Sequence, residues 1–127
     1  MRRKSLIILT LFACFTIIFS SCKKSVENKI DGTWRKVNLE NVNANVFEDW
    51  TFTGNYFYVL HTNGIGGYDT ISNGTYAIKM KLFKRYLSIE TSTDNSIIDD
   101  WRIDKITKGQ LVIYRQQGGL EYYEFSR

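Results

Sequence analysis

From Gly32 onward, no stretch repeats its apolar residues at helical spacing, whereas short runs rich in Val, Ile, Thr, Tyr, Phe and Trp recur about every ten residues. These runs predict strands over Thr33–Glu40, Val46–Thr53, Tyr56–Thr62, Gly67–Ile71, Thr75–Met80, Arg85–Thr91, Asp100–Ile106, Gln110–Gln116 and Leu120–Ser126. Thr53-Gly54-Asn55, Asn63-Gly64, Asn73-Gly74, Lys108-Gly109 and Gly118-Gly119 separate them, and Asn and Gly supply the positive φ angles of tight hairpins. Val42–Phe47 also fits a short helical turn. Several runs alternate: Trp50 and Phe52 against Thr51 and Thr53, Tyr76, Ile78 and Met80 against Ala77 and Lys79, Trp101 and Ile103 against Arg102 and Asp104, Leu111 and Ile113 against Val112 and Tyr114. One face in and one face out over eight or nine antiparallel strands predicts an all-β closed barrel or sandwich. Proline is absent, so nothing interrupts the ladders.

The first thirty residues obey other rules. Arg2, Arg3 and Lys4 precede an apolar run, Leu6 to Phe19, broken only by Thr10, Cys14 and Thr16. As a helix, that run spans about 21 Å, short of the roughly 30 Å hydrocarbon core that a permanent transmembrane helix must cross. A basic start followed by a short apolar run is the build of an export signal. Phe19-Ser20-Ser21-Cys22 resembles the lipobox of bacterial lipoproteins, with Phe19 where Leu is commoner. The resemblance implies a signal peptide over 1–21, a diacylglycerol on the Cys22 thiol and an acylated Cys22 amino group. Each buried methylene contributes about 0.8 kcal/mol, so two or more chains give stable anchoring. Residues 22–30 then read as lipidated cysteine and polar tether, and 31–127 as one domain of 97 residues. Lys23 and Lys24 are not an aspartate retention signal, which favours the outer membrane within the cell envelope.

Removal of the signal changes the charge. The whole chain carries 17 basic and 13 acidic residues; without Arg2, Arg3 and Lys4 the balance is 14 to 13. A net charge of that size gives no reason to expect nucleic acid as a partner, which needs a concentrated basic face. Cys14 leaves with the signal and Cys22 is consumed, so the domain has no cysteine for a disulfide, a thiol nucleophile or a zinc ligand. Its stability must come from its core.

Asp31-Gly32-Thr33-Trp34 resembles the opening of the lipocalin-like family, whose first strand carries Gly-x-Trp. Asp49-Trp50-Thr51-Phe52, Gly74-Thr75-Tyr76, Trp101-Arg102-Ile103, Leu111-Val112-Ile113 and Glu124-Phe125 follow in a similar order. The resemblance implies a small up-and-down β-barrel of eight or so strands over 31–127, with Trp34 plugging one end. In that family a late basic residue stacks on the tryptophan, a place that Arg127 or Arg115 can fill. Sixteen aromatic residues between Asp31 and Arg127 are enough to fill a small eight-stranded barrel themselves.

Chemistry is sparse. His61 is the single histidine, with neither a Gly-x-Ser-x-Gly elbow for a catalytic triad nor a second histidine at ligand spacing, so it reads as a strand-end or rim residue. Asp94, Asp99, Asp100 and Asp104 lack the spacing of a calcium loop and read as polar strand surroundings. Glu121 and Glu124, three apart, fall on opposite faces of a strand and cannot form a glycosidase pair. Asn63-Gly64-Ile65-Gly66-Gly67 lacks the Lys-Ser/Thr of a phosphate loop and reads as a hairpin tip, with Tyr68 beside it. Lys79, Lys81, Lys84 and Arg85 crowd a hairpin tipped by Leu82 and Phe83, a solvated turn or an apolar tip for an anionic membrane. The expectation is a non-enzymatic lipoprotein without cofactor or metal, held to the membrane through Cys22. It binds either a small apolar molecule or an envelope protein partner. Trp34, Trp50, Tyr56, Tyr58, Tyr76 and Trp101 are the candidates for the barrel interior or ligand-lining wall. The alternative is an envelope inhibitor, of the lysozyme-blocking kind, that works through its loops.

Overall fold

The two-residue turn Gly54-Asn55 sets the phase of the first hairpin. Gly54 has a left-handed φ of +58°, and the turn places Thr53 opposite Tyr56 and Phe52 opposite Phe57. Opposite residues of an antiparallel pair share a face, so Phe57 and Val59 lie inside with Phe52 and Trp50. The computed structural model describes residues 2–37, 47–62 and 67–127. These form helix α1 (Arg2–Ile30) and strands β1 (Gly32–Lys36), β2 (Phe47–Thr53), β3 (Tyr56–Thr62), β4 (Tyr68–Lys81), β5 (Lys84–Ser92), β6 (Asp100–Ile106), β7 (Gln110–Arg115) and β8 (Glu121–Ser126). One 3-10 turn, Asn95–Ile97, joins β5 to β6.

Each strand pairs antiparallel with the next, and β8 returns to β1 through Arg35–Ser126 and Lys36–Phe125. The sheet is thereby closed into a ring of eight strands. Strict up-and-down order gives the ring two unlike ends. The near end holds the junction of α1 with β1, the β2–β3, β4–β5 and β6–β7 turns, and Arg127. The far end holds the β5–β6 and β7–β8 connections.

Aromatic side chains fill the interior. Trp50 lies 5.3 Å from Phe125, 5.9 Å from Tyr123, 6.0 Å from Phe57 and 6.2 Å from Phe52, ring centre to ring centre. Trp101 stacks on Tyr123 at 4.7 Å, and Phe52 meets Tyr76 edge-on at 5.0 Å. Val59, Ile78, Leu87, Ile89, Ile97, Ile103, Ile106, Leu111 and Ile113 belong to the same core. Full burial of a large apolar side chain contributes about 1.5–3 kcal/mol, so this cluster supplies the main driving force in a domain without disulfides.

Two expectations need correction. Tyr56 and Tyr58 are 59% and 40% exposed and lie outside the ring. The run Tyr56–Leu60 is apolar at every position, so its own pattern cannot choose a face, and the Gly54-Asn55 register chooses the other one. Nor are Gly67–Ile71 and Thr75–Met80 two strands. They are parts of β4, which runs straight through Asn73-Gly74. Gly74 is there for close approach: a Cβ on it would lie 1.8 Å from the Thr91 carbonyl oxygen. Beside it Thr75 faces Thr91 while Tyr76 faces Ile89, leaving Glu90 as the extra residue of a β-bulge. The proposed helical turn at Val42–Phe47 and the Asn63-Gly64 turn fall largely at 38–46 and 63–66, outside the described residues.

The near end is sealed. Trp34 is fully buried and its Nε1–H donates to the Ile30 carbonyl at 2.7 Å. The Arg127 guanidinium covers the indole at 4.0 Å and donates to the carbonyls of Asp31 (2.7 Å), Lys108 (2.8 Å) and Lys29 (2.9 Å). Gly32, at φ +112°, leaves room for it, since a Cβ there would sit 3.0 Å from Arg127 Nη1. The segment expected as a polar tether is the end of α1, and Val26 and Ile30 bury their side chains against the ring. Leu6–Ile30 is long and apolar enough to cross a membrane by length and composition, a property that an N-terminal signal sequence shares.

Candidate functional site

Strand alternation carries each interior face beyond the aromatic core by one further inward position at the far end. On β1, β2, β3, β7 and β8, and just before β6, that position is ionisable, whereas β4 and β5 turn inward Ser72 and Ser92, hydrogen-bonded at 2.7 Å. Lys36 lies two residues past Trp34, Glu48 two before Trp50, and His61 two past Val59. Asp99 lies two before Trp101, Arg115 two past Ile113, and Glu121 two before Tyr123. The core therefore ends in a mouth lined by partly exposed charges, with Trp50 and Trp101 as its floor.

The charges are organised. Glu48 accepts from Trp50 Nε1 at 2.7 Å and from Lys36 Nζ at 3.5 Å, and His61 Nε2 lies 3.3 Å from its other oxygen. Lys36 Nζ also sits 3.7 Å above the Tyr123 ring. Across the mouth, Arg115 donates from Nε to Glu121 at 2.7 Å, covers the Trp101 ring at 4.3 Å, and has Asp99 Oδ2 at 3.8 Å from Nη1. Tyr123 joins the two halves, because its hydroxyl donates to Glu121 at 2.7 Å. Asp99 Oδ2 is buried without a hydrogen-bond donor among the described residues.

Electrostatics follow from these contacts. Burial pushes the Glu121 carboxyl up, but donation from Tyr123 and Arg115 more than offsets it and holds the group below its usual range. Burial and the bond to Glu121 push the Tyr123 phenol up, so it remains a donor. Tyr76, deep in the core, is pushed up to about 12 by burial. Trp50, Trp101 and Tyr123 are thus roofed by paired charges, an arrangement that presents fixed charge to a visitor.

The six residues chosen as interior candidates separate. Trp50 and Trp101 reach the mouth from below, Trp34 plugs the opposite end, Tyr76 is core, and Tyr56 and Tyr58 face outward. His61 is a rim residue, held by Glu48. The aspartates scatter: Asp94 caps the 3-10 turn through Ser96 N, Asp99 faces Arg115, Asp100 pairs with Lys79 and Lys81, and Asp104 is exposed. Among the described residues no group of three or more His, Cys, Asp or Glu is placed to hold a metal. Glu121 points inward and Glu124 outward to Gln110. Cys22 is exposed on α1. A pocket of about 610 Å³ lies outside the ring, between Lys23, Glu27, Asn28 and Asp31 of the α1–β1 junction, the Gly54-Asn55 turn and Tyr76–Ile78 of β4.

The charged mouth escaped the sequence reading because its six residues come from separate strands, with no motif in any one. The available signal was periodicity, two residues outward from each buried aromatic or aliphatic residue. Comparison with known protein families, with curated proteins and with solved structures gives no match for this chain.

Proposed function

We propose that this chain is a lipid-anchored envelope protein whose lipocalin-like β-barrel binds a protein partner, without chemistry of its own, through its charged far mouth. The observation that carries the reading is the change along the ring axis, from packed aromatic rings to the ion pairs of Lys36 with Glu48 and of Arg115 with Glu121 and Asp99, with His61 beside Glu48. A carrier of apolar molecules needs apolar space along that axis, and here Trp50 and its neighbours occupy it. A partner that presents complementary charge gains from residues already held in place. Support for the lipocalin-like build comes from Gly32, the buried Trp34 and the guanidinium of Arg127 over its indole. Support for the anchor comes from the signal-like N-terminus, where Lys23, Lys24, Glu27, Asn28 and Lys29 end the apolar stretch just after Cys22. The outer membrane is the proposed address.

The test uses the protein as its host makes it. A photo-cross-linking residue replacing Gln117 at the far end is expected to give a discrete protein adduct, and one replacing Lys108 at the near end is expected to give none. Native mass spectrometry of the purified protein checks the competing reading. A small apolar molecule that leaves only on denaturation would overturn the proposal in favour of a cargo carrier.

A further inference from the structure

We propose that the β4–β5 hairpin is a membrane-contact element that rests its Leu82-Phe83 tip on the anionic bilayer into which Cys22 is anchored. The inference builds on the lipid-anchor reading above and adds a surface and an orientation to it.

The tip is costly for folding alone. Leu82 and Phe83 have φ angles of +48° and +63°, so both occupy the left-handed region. Two-residue turns of that kind favour Asn-Gly, because large L-residues are strained there. Of the other near-end turns, Gly54-Asn55 between β2 and β3 puts a glycine at its one positive φ, and Lys108-Gly109 between β6 and β7 has no positive φ. At the β4–β5 turn the chain instead places two large apolar side chains, 89% and 78% exposed.

Charge and position name the occupant. Lys79, Lys81, Lys84 and Arg85 flank the tip. Lys79 lies near Glu90 and Asp100, and Lys81 pairs with Asp100. Four bases against two acids leave the hairpin positive, and Lys84 has no ion pair among the described residues. Apolar residues at the point of a basic element match an anionic lipid surface, where the side chains enter the headgroup boundary and the cations meet phosphates. The β4–β5 turn lies at the near end, the same end at which α1 meets the ring. Lys23, next to Cys22, lines one pocket with Ala77 and Ile78, only four residues up β4 from Leu82. Cys22 is eight residues from the buried Ile30, about 12 Å along a helix. An acylated Cys22 therefore brings the near end, with its hairpin, to the lipid surface and turns the charged mouth away from it.

The experiment uses the full chain, processed in a bacterial host and reconstituted into vesicles, with Leu82→Cys carrying an environment-sensitive nitrobenzoxadiazole label. Phe83→Cys serves as a second probe site, and Gln117→Cys reports the far end. In vesicles containing phosphatidylglycerol, label at 82 or 83 is expected to shift to the blue and to be quenched by lipid-borne quencher, while label at 117 stays in water. Lys84→Glu is expected to lower the ratio of tip-in to tip-out by roughly tenfold. The double change Leu82→Asn with Phe83→Gly is expected to abolish contact while the protein melts no lower. Label at 82 and 83 that stays in water, or that inserts equally into neutral phosphatidylcholine vesicles, overturns the proposal. Intact mass reads the anchor separately: an unmodified Cys22 with an inserted tip defeats the anchor reading alone, and a lipidated Cys22 with a solvated tip defeats this one alone.

Discussion

Replacing Arg127 by alanine removes the clasp that closes the near end of the ring. The guanidinium stacks on Trp34 at 4.0 Å and ties three carbonyls, from α1, the α1–β1 junction and the β6–β7 turn, into one unit. A cation–π contact at an exposed site contributes about 0.5–1 kcal/mol. Hydrogen bonds from a charged donor contribute about 1.5–3 kcal/mol each when well buried. Here water can replace the donor at each carbonyl, so the three together are set at about 1 kcal/mol. The expected loss is then about 2 kcal/mol, or roughly 8 °C in melting temperature for a domain near 100 residues. Arg127→Lys keeps the charge but loses the planar fork, and is expected to recover less than half of the loss. Thermal and urea unfolding of the two variants, with Trp34→Phe completing a double-mutant cycle, gives the coupling directly; about 0.5–1 kcal/mol is expected. An alanine variant that melts within about 2 °C of the parent, or a lysine variant that equals it, would refute the clasp.

Other expectations follow from single observations. Gly74→Ala forces a Cβ against the Thr91 carbonyl and is expected to cost about 3 kcal/mol or more in urea unfolding, against about 1 kcal/mol for Gly54→Ala, which meets only its left-handed φ. Phe57→Ala is expected to cost about 3–5 kcal/mol, while Tyr56→Ala stays within about 1 kcal/mol; reversed values would mean that β3 has the opposite phase. Glu121 is held below its ordinary value of 4.5, so it stabilises the fold above that pH and loses its contribution as the pH falls through the lower folded value. Glu121→Gln should therefore flatten the acid limb of a stability–pH curve, and an unchanged limb would contradict the Arg115–Glu121–Tyr123 arrangement.

The sequence made the β architecture legible where a strand alternates or a turn is tight. Trp50 with Phe52, Tyr76 with Ile78, Trp101 with Ile103 and Leu111 with Ile113 share the faces that their alternation predicts, and Gly54, Gly118 and Gly119 have positive φ in turns. It misled where one residue serves two uses. Asn73-Gly74 has the composition of a hairpin turn, yet Gly74 is required because β4 and β5 approach too closely for any side chain. Tyr56 to Leu60 offers no polar position to mark the outside, so the face of β3 follows from its partner strand. The mouth was hidden for a related reason. Its charges are single residues at the ends of separate strands: pairing of β1 with β2 brings Lys36 to Glu48, pairing of β7 with β8 brings Arg115 to Glu121, and closure of the ring sets Lys36 over Tyr123.

The proposed anchor and the proposed orientation of the ring both rest on Cys22. The intact mass of the protein extracted from membranes of a host that processes lipoproteins tests the anchor most directly. The predicted result is a chain beginning at Cys22, heavier than the bare polypeptide by a diacylglyceryl group and a third acyl chain. A chain that retains Met1 to Ser21, or one beginning at Cys22 or elsewhere without lipid, would contradict it.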